Sequence, residues 1–559
     1  MILVLAFFQS LANLFLPTLM ARIVDSGIVK GDTGYIVRVG GIMLLVTVAG
    51  MICAIAGSFF SSKVSIGFGR IIRGKVFSHV EEFSLHEFDT FSTASLITRT
   101  TNDTTQVQQV ITLILSMLVT APMMAIGGVI LAYSQDHVLV WVLVAAMPVV
   151  FTVFLLIIKR AIPLFQVMQV KLDALNLVLD EGMTGVRVIR AFDRNAHEHR
   201  RFDTANLDLT DTAINVNRIV AFLMPAMMLT LNLTSIAILW FGSIRVDNGD
   251  MQIGSLIAFL QYAVLILFSM LMVAVLFVML PRAAASADRI NEVLAVTPEI
   301  KDPLEALPAG PQHGYVEFQD VTFSYPGAEE PAISDISFHA GPGEVTAIIG
   351  GTGSGKSTLV NLIPRFYDVD KGRVLVDGRD VREMSQETLR AKIGFVPQQA
   401  RLFTGSITEN IRLGKGDASI DEVRHAAEIA QATEFVVSMS DGLDSAISQG
   451  GINVSGGQKQ RLSIARALVR RPEIYVFDDS FSALDFTTDA RLRAALRGET
   501  RDATVLIVAQ RVGTVMNADR IIVLDEGRIA GIGTHRELLE TCQVYQEIIS
   551  SQLSLEEIA

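Results

Sequence analysis

Six apolar runs dominate the first half of the chain, at residues 1–24, 35–62, 111–133, 138–158, 221–244 and 253–280. Each is long enough for the ~20 residues a helix needs to cross a bilayer. Hydrocarbon offers no partner to backbone N–H and C=O groups, so such runs fold as helices that satisfy themselves. That constraint sets the class of the first half before any motif is read. Composition agrees. Of the 559 residues, 50% are hydrophobic and mean hydropathy is +0.44, too apolar for an ordinary soluble protein. After about Gly310 the composition becomes that of a soluble α/β protein.

The loops between the runs alternate in character. "DSGIVKGDTG", "SQDH" and "RVDNGDMQ" are short and poor in basic residues. The loops at 63–110 and 159–220 are long and carry Arg70, Arg73, Lys75, Arg99, Lys159, Arg160, Arg187, Arg190, Arg194, Arg200 and Arg201. Basic loops stay on the cytoplasmic side. The expected setting is a multi-pass protein of the cell membrane, in a bacterium the inner or plasma membrane, with membrane lipid around it and both termini in the cytoplasm. The opening run has no basic leader and no cleavage site, so it reads as a span and not a removable signal. It begins inside the apolar stretch, which is expected either of a shortened N-terminus or of absent cytoplasmic residues. Net charge is −12, and no nucleic-acid partner is expected. Cys53 and Cys542 read as free thiols.

The long loops keep helical periodicity, in "RIIRGKVFSHVEEFSLHEFDTF" and "LDALNLVLDEGMTGVRVIRAFDRNAHEHRRF". They are expected to be transmembrane helices prolonged into the cytoplasm, turning near 84–91 and near 201–211. Twenty residues of helix reach ~30 Å, far enough to touch a separate domain. Within the spans the polar residues Gln9, Asn13, Asn232 and Gln261 are uncharged, which speaks against a proton relay there. Pro17, Pro122, Pro148 and Pro225 are candidate kinks. Met117, Met123, Met124, Met224, Met227, Met228, Met270, Met272 and Met279 suit a wall for bulky apolar molecules, although helix packing or lipid contact is the favoured account of them.

A Pro- and Gly-bearing linker, 296–312, leads to strand-like "YVEFQDVTFSY" and "EVTAIIG". Then comes "GGTGSGKST": Gly350, Gly351, Thr352, Gly353, Ser354, Gly355, Lys356, Ser357 and Thr358. This is a phosphate loop directly after a strand. Its glycines let backbone N–H groups close around phosphates, Lys356 reaches the terminal ones, and Ser357 can hold Mg²⁺. "PEIYVFDD" then offers Asp478 as the acidic partner of that metal. The expected cofactors are therefore ATP and Mg²⁺.

At "NVSGGQKQRLSIARAL" the chain resembles the ATP-binding cassette family, in its exporter form with six spans before the cassette (the type IV fold). The resemblance covers nearly the whole chain and implies a fold class: an all-α transmembrane domain at 1–295, then an α/β cassette at 313–559. It further implies roles. Ser455, Gly456, Gly457 and Gln458 form the signature that reaches a partner cassette's nucleotide. Tyr325 is an aromatic platform for adenine, and Gln398 joins Mg²⁺ to the membrane helices. Asp485, in "SALD", belongs to the loop that crosses the dimer interface.

Two positions depart from the family pattern. A glutamate is expected after Asp478, and the chain has Asp479; a histidine is expected where it has Gln510. Aspartate is one methylene shorter, and a displacement of ~1 Å can cost ~10² in rate. Glutamine donates a hydrogen bond but cannot become cationic. Both lesions touch one step, so their costs do not simply add. Lesser departures are Gln449 and Val454 just before the signature. The resemblance thus implies the degenerate-site subunit of a heterodimeric multidrug-type exporter. Its own site would bind ATP and hydrolyse it poorly, while its signature completes the competent site of a second, different half-transporter. The cargo would be a hydrophobic small molecule or lipid-like substrate, though fold does not fix cargo. Two alternatives stay open: an importer built on the exporter fold, for example for a metal chelator, and a nucleotide-sensing regulatory subunit that pumps nothing.

Overall fold

The computed structural model describes residues 1–305, 307, 310 and 313–552. Five positions of the expected linker (306, 308, 309, 311 and 312) lie outside the described residues. The chain forms two compact units. One comprises Met1–Glu81 with Thr93–Val296, and the other Glu82–Ser92 with Thr297 onward.

The first unit is helical and holds six helices long and apolar enough to cross a membrane. The helices outrun the bilayer, as the periodicity predicts. The second runs unbroken over Thr33–Glu81 and the fourth over Val140–Thr184. Prolines leave local marks. Pro122 is followed by a π-helical turn at Met123–Gly127. A break at Phe222 precedes Leu223–Asp247, because Pro225 has no N–H to give the carbonyl of Ala221. Two buried aspartates tie helices to one another near their ends. Outside, the buried Asp136 accepts from Arg245 Nε at 2.7 Å. On the cytoplasmic side, the buried Asp103 accepts from Arg289 Nε at 2.8 Å, again from Arg289 Nη2, and from Ser286 Oγ at 2.9 Å.

The two hairpin tips differ. The first lies where the sequence places it. Ser84 caps the short helix Leu85–Phe91, and Ser92 leaves it in a left-handed conformation, φ +56°. This tip clusters with the second unit: the Glu87 carboxylate accepts from the backbone N–H of Glu299 at 3.0 Å. The second tip is not at 201–211. Those residues sit inside the continuous helix Asn195–Ala221. The chain reverses at 185–194, where Gly185 ends the long helix, Val186–Ala191 makes a short one, and Asp193 turns left-handed at φ +49°.

The cassette unit is built on a six-stranded sheet. In chain order its twelve strands are β1 (Val316–Phe323), β2 (Ile333–Ala340), β3 (Val345–Gly350), β4 (Lys371–Val376), β5 (Arg379–Asp380), β6 (Ile393–Val396), β7 (Gly405–Ser406), β8 (Ala446–Ile447), β9 (Ile474–Asp478), β10 (Thr504–Val508), β11 (Arg520–Asp525) and β12 (Arg528–Gly533). The main sheet has the order β12-β11-β3-β10-β9-β6, parallel except for β12. Every residue of β9 and β10 is buried, as expected of parallel strands covered on both faces. An antiparallel sheet, β2-β1-β4-β5, carries Tyr325 just past β1. Cys53 and Cys542 are both free thiols.

Removing Arg289 would leave the buried Asp103 with the Ser286 hydroxyl but without its bidentate charged donor; with Arg289 itself partly exposed, this costs on the order of 1–3 kcal/mol. Arg289→Ala is therefore expected to lower the thermal midpoint of the detergent-solubilised chain well below that of the Asp103→Asn, Arg289→Ala double variant. A double-mutant cycle checks it; simple additivity would sink the pairing.

Candidate functional site

Four neighbouring parallel strands end on one edge of the main sheet, and each delivers a functional group. β3 runs into Gly350 and the loop to Gly355. β10 ends two residues before Gln510, β9 ends on Asp478 with Asp479 next, and β6 ends two residues before Gln398. Ligands of open α/β sheets bind at such carboxyl edges.

The loop depends on its glycines. Gly353 and Gly355 have φ of +85° and +91°. A Cβ on Gly355 would lie 2.5 Å from Ile333 Cγ2 and 2.8 Å from the Ala332 carbonyl oxygen, whereas one on Gly351 or Gly353 would meet nothing within 4 Å. The loop thus packs tightly on its inner side and opens a concavity on the other. Lys356 is buried and its Nζ donates to the carbonyls of Gly350 (3.0 Å) and Gly351 (2.5 Å). Burial pulls its ammonium below the ordinary value, against the attraction of Asp479 and Asp478. The helix Lys356–Asn361 has Gly355 at its start and no side chain capping it. Ser406, Ser419, Ser455 and Thr534 do cap the helices that follow them. Uncapped N–H groups, a lysine and an open cradle fit a polyphosphate.

The acidic pair is tied into this edge. Ser357 Oγ donates to Asp478 Oδ1 at 2.9 Å, so a metal held by either group would find the other beside it. Burial, opposed by the Ser357 bond and reinforced by the charge of Asp479, raises Asp478 above the usual carboxylate range. Asp479 is likewise raised by burial, with bonds from Gln398 and Ser482 opposing. Its backbone is left-handed, φ +44°. One oxygen, Asp479 Oδ2, accepts from both Gln398 Nε2 (3.3 Å) and Gln510 Nε2 (3.2 Å). The structure thereby brings together Gly350–Ser357, Gln398, Asp478, Asp479 and Gln510. Tyr325 joins them through its hydroxyl, 3.0 Å from Thr358 Oγ1, with its ring edge-on to Tyr367.

A second group stands apart. Ser455 and Gln458 form a reciprocal cap at the start of the helix Gly456–Leu468. Gly457 lies close to the segment before Asp485: a Cβ there would be 3.1 Å from the Ala483 carbonyl oxygen. Asp485 itself caps the helix Phe486–Glu499, accepting from Thr488 N at 2.9 Å. Among the described residues no hydrogen bond joins this group to the phosphate loop. Motif reading missed Tyr367 and Gln552. Gln552 bonds the backbone of Gln510 from 42 residues away, and no local pattern announces it.

The membrane unit adds two apolar cavities. One of about 280 Å³ is lined by Met147, Phe151, Phe154, Met227 and Met270. Another of about 600 Å³ is lined by Phe8, Phe15, Cys53, Met123 and Ile130.

Comparison with known proteins agrees with this division. Residues 1–271 match the family model described as the ABC transporter transmembrane region, and residues 333–482 the one described as ABC transporter. The chain is 45% identical, over 99% of its length and 95% of the relative's, to the uncharacterized ABC transporter ATP-binding protein MT1311 of Mycobacterium tuberculosis (strain CDC 1551 / Oshkosh). It is 34% identical, over 85% of its length and 75% of the relative's, to the fatty acid ABC transporter ATP-binding/permease protein of Mycobacterium bovis. In fold it is similar to a solved bacterial Atm1-family ABC exporter with ATP bound, with a TM-score of 0.82 at 24% identity, covering 99% of this chain and 97% of that one.

Asp478 pays for its position in stability. Its raised pKa means that the neutral form favours folding; that contribution is present below the unfolded value of ~3.9 and is lost as pH rises through the folded value. Asp478→Asn keeps the acceptor for Ser357 and removes the buried charge. It is expected to stabilise the nucleotide-free chain at pH 7 relative to the parent. Thermal unfolding between pH 5 and pH 8 checks it, and a variant less stable than the parent at pH 7 would contradict it.

Proposed function

The chain belongs to the ABC transporter family, as a half-transporter with six spans and a cytoplasmic cassette, and from that premise we propose that it is the weakly hydrolysing subunit of a heterodimeric exporter. Its domains are then a membrane domain at 1–295, a linker at 296–312 and a cassette at 313–559. Gly350, Gly351, Thr352, Gly353, Ser354, Gly355 and Lys356 hold the phosphates, with Thr358 behind them. Ser357, Asp478 and Gln398 serve the magnesium, and Tyr325 faces the base. When bound, Mg-ATP supplies the phosphoanhydride whose hydrolysis the family couples to transport.

The observation that carries the reading is the shared oxygen of Asp479. A water-activating carboxylate must present an oxygen at a set distance, and two hydrogen bonds fix how far the Asp479 carboxylate reaches. Here the shorter side chain spends one oxygen on two neutral amides. Gln510 brings no positive charge to a developing negative one. The binding parts are intact around this weakened pair.

The need for a partner has separate support. The Ser455–Gln458 and Asp485 group has no link to the chain's own phosphate loop, which suits completion of a second chain's site. The second hairpin tip leaves Met183, Val188 and Phe192 largely exposed, a surface that suits contact with another subunit. The Met- and Phe-lined cavities favour an apolar, lipid-like cargo, in keeping with the name of the fatty acid relative.

Co-expression with the partner half-transporter tests the division of labour. Asp479→Glu should leave transport near the parental rate. Replacing the partner's water-activating glutamate by glutamine should lower ATP turnover by ~10²-fold or more. A purified, symmetric pair of this chain alone that hydrolyses ATP at ordinary speed would overturn the reading.

A further inference from the structure

The last described residues contain an interaction that the transport reading does not use. The helix Gln543–Ser550 is pinned into the cassette core by buried Tyr545 and Ile549, which share a hydrophobic cluster with Val512 and Val515. The Tyr545 hydroxyl is 2.8 Å from His535 Nδ1. Just past this helix, Gln552 turns its amide onto the loop that carries Gln510. Its Nε2 donates to the Gln510 carbonyl oxygen at 2.8 Å, and its Oε1 accepts from the Val512 N–H at 2.9 Å. Val512 begins the short helix Val512–Val515, and no side chain of Arg511, its flanking residue, caps that start. One side chain therefore holds the backbone on both sides of Arg511.

We infer that Gln552 is a positioning residue: it fixes the backbone of the Gln510 loop so that the Gln510 side chain is aimed at Asp479 and the terminal phosphate. The chemistry requires a side chain with a donor and an acceptor side by side, and a primary amide is the neutral group that provides both. Gln552 lies in the turn that follows a packed helix and is tied to it by its own N–H, which donates to the carbonyl of buried Ile549 at 2.9 Å. The C-terminal helix is thereby part of the nucleotide site, with Gln552 joined in series to Gln510, Asp479 and Gln398. The role of Gln510 toward the terminal phosphate rests on the proposed function above. The backbone clamp does not.

The test compares the full-length parent, Gln552→Ala and Gln552→Glu in lipid nanodiscs. Two readouts are taken: amide hydrogen exchange at Val512, and equilibrium binding of Mg-ATP and Mg-ADP. Loss of one well-formed hydrogen bond predicts about tenfold faster exchange at Val512 in Gln552→Ala. The preference for ATP over ADP should fall about five- to tenfold, because only ATP carries the phosphate that Gln510 faces. Gln552→Glu still accepts from Val512 and should keep its protection, yet it faces the Gln510 carbonyl with a carboxylate and should lose the ATP preference. Exchange across β9 and β10 serves as the folding control, and Gln552→Glu carries the test should the alanine variant fail it. Unchanged Val512 exchange in Gln552→Ala, or equal weakening of both nucleotides, overturns the inference. Brisk turnover by the unmodified chain alone would sink the weak-site reading and leave this comparison standing.

Discussion

A single carboxylate oxygen, Asp479 Oδ2, is where the ends of three strands meet. Gln398 arrives from β6, Gln510 from β10, and Asp479 itself follows β9. A parallel sheet can bring these groups together because all its strands point the same way, and β3 adds the phosphate loop to the same edge. The cassette's hydrophobic interior is arranged in support of that edge. Fully buried β9 and β10 leave their terminal residues little freedom, so polar groups placed there keep their distances.

The same rigidity bears on the weak hydrolysis proposed for Asp479 and Gln510. In a loose site a shorter acid could swing toward its target. Here Asp479 is held by its left-handed backbone, by its N–H on the Val508 carbonyl at 3.0 Å, and by two amides on one oxygen. On the proposed reading of a weakly hydrolysing site, the cost of the missing methylene is not recovered by motion. Stability and chemistry also compete at this edge: Asp478, Asp479 and Lys356 are buried ionisable groups, each shifted toward its neutral form. Such groups persist where function selects them.

Much of this was legible in the sequence, for physical reasons. Apolar run length is a local property, and so the six spans could be read directly. The phosphate loop, the acidic pair and the signature are contiguous motifs, and each lies at the strand end or helix start that its chemistry requires. What escaped was non-local. Nothing near Gln552 shows that it reaches Gln510, and nothing near Tyr367 shows that it stands against Tyr325. The second hairpin tip escaped for another reason. Residues 201–211, expected to turn, prolong a helix instead, and the reversal depends on Gly185 and the left-handed Asp193 upstream.

The first hairpin tip also bears on the order in which the molecule can be completed. Glu87 accepts its backbone hydrogen bond from Glu299, 212 positions later in the chain. Ribosomes add ~5–20 residues per second, so the tip emerges roughly ten to forty seconds before its seat exists. During that interval four more spans must enter the bilayer. The four remaining spans are therefore synthesised before this joint, between the tip and the segment that follows the sixth helix, can form.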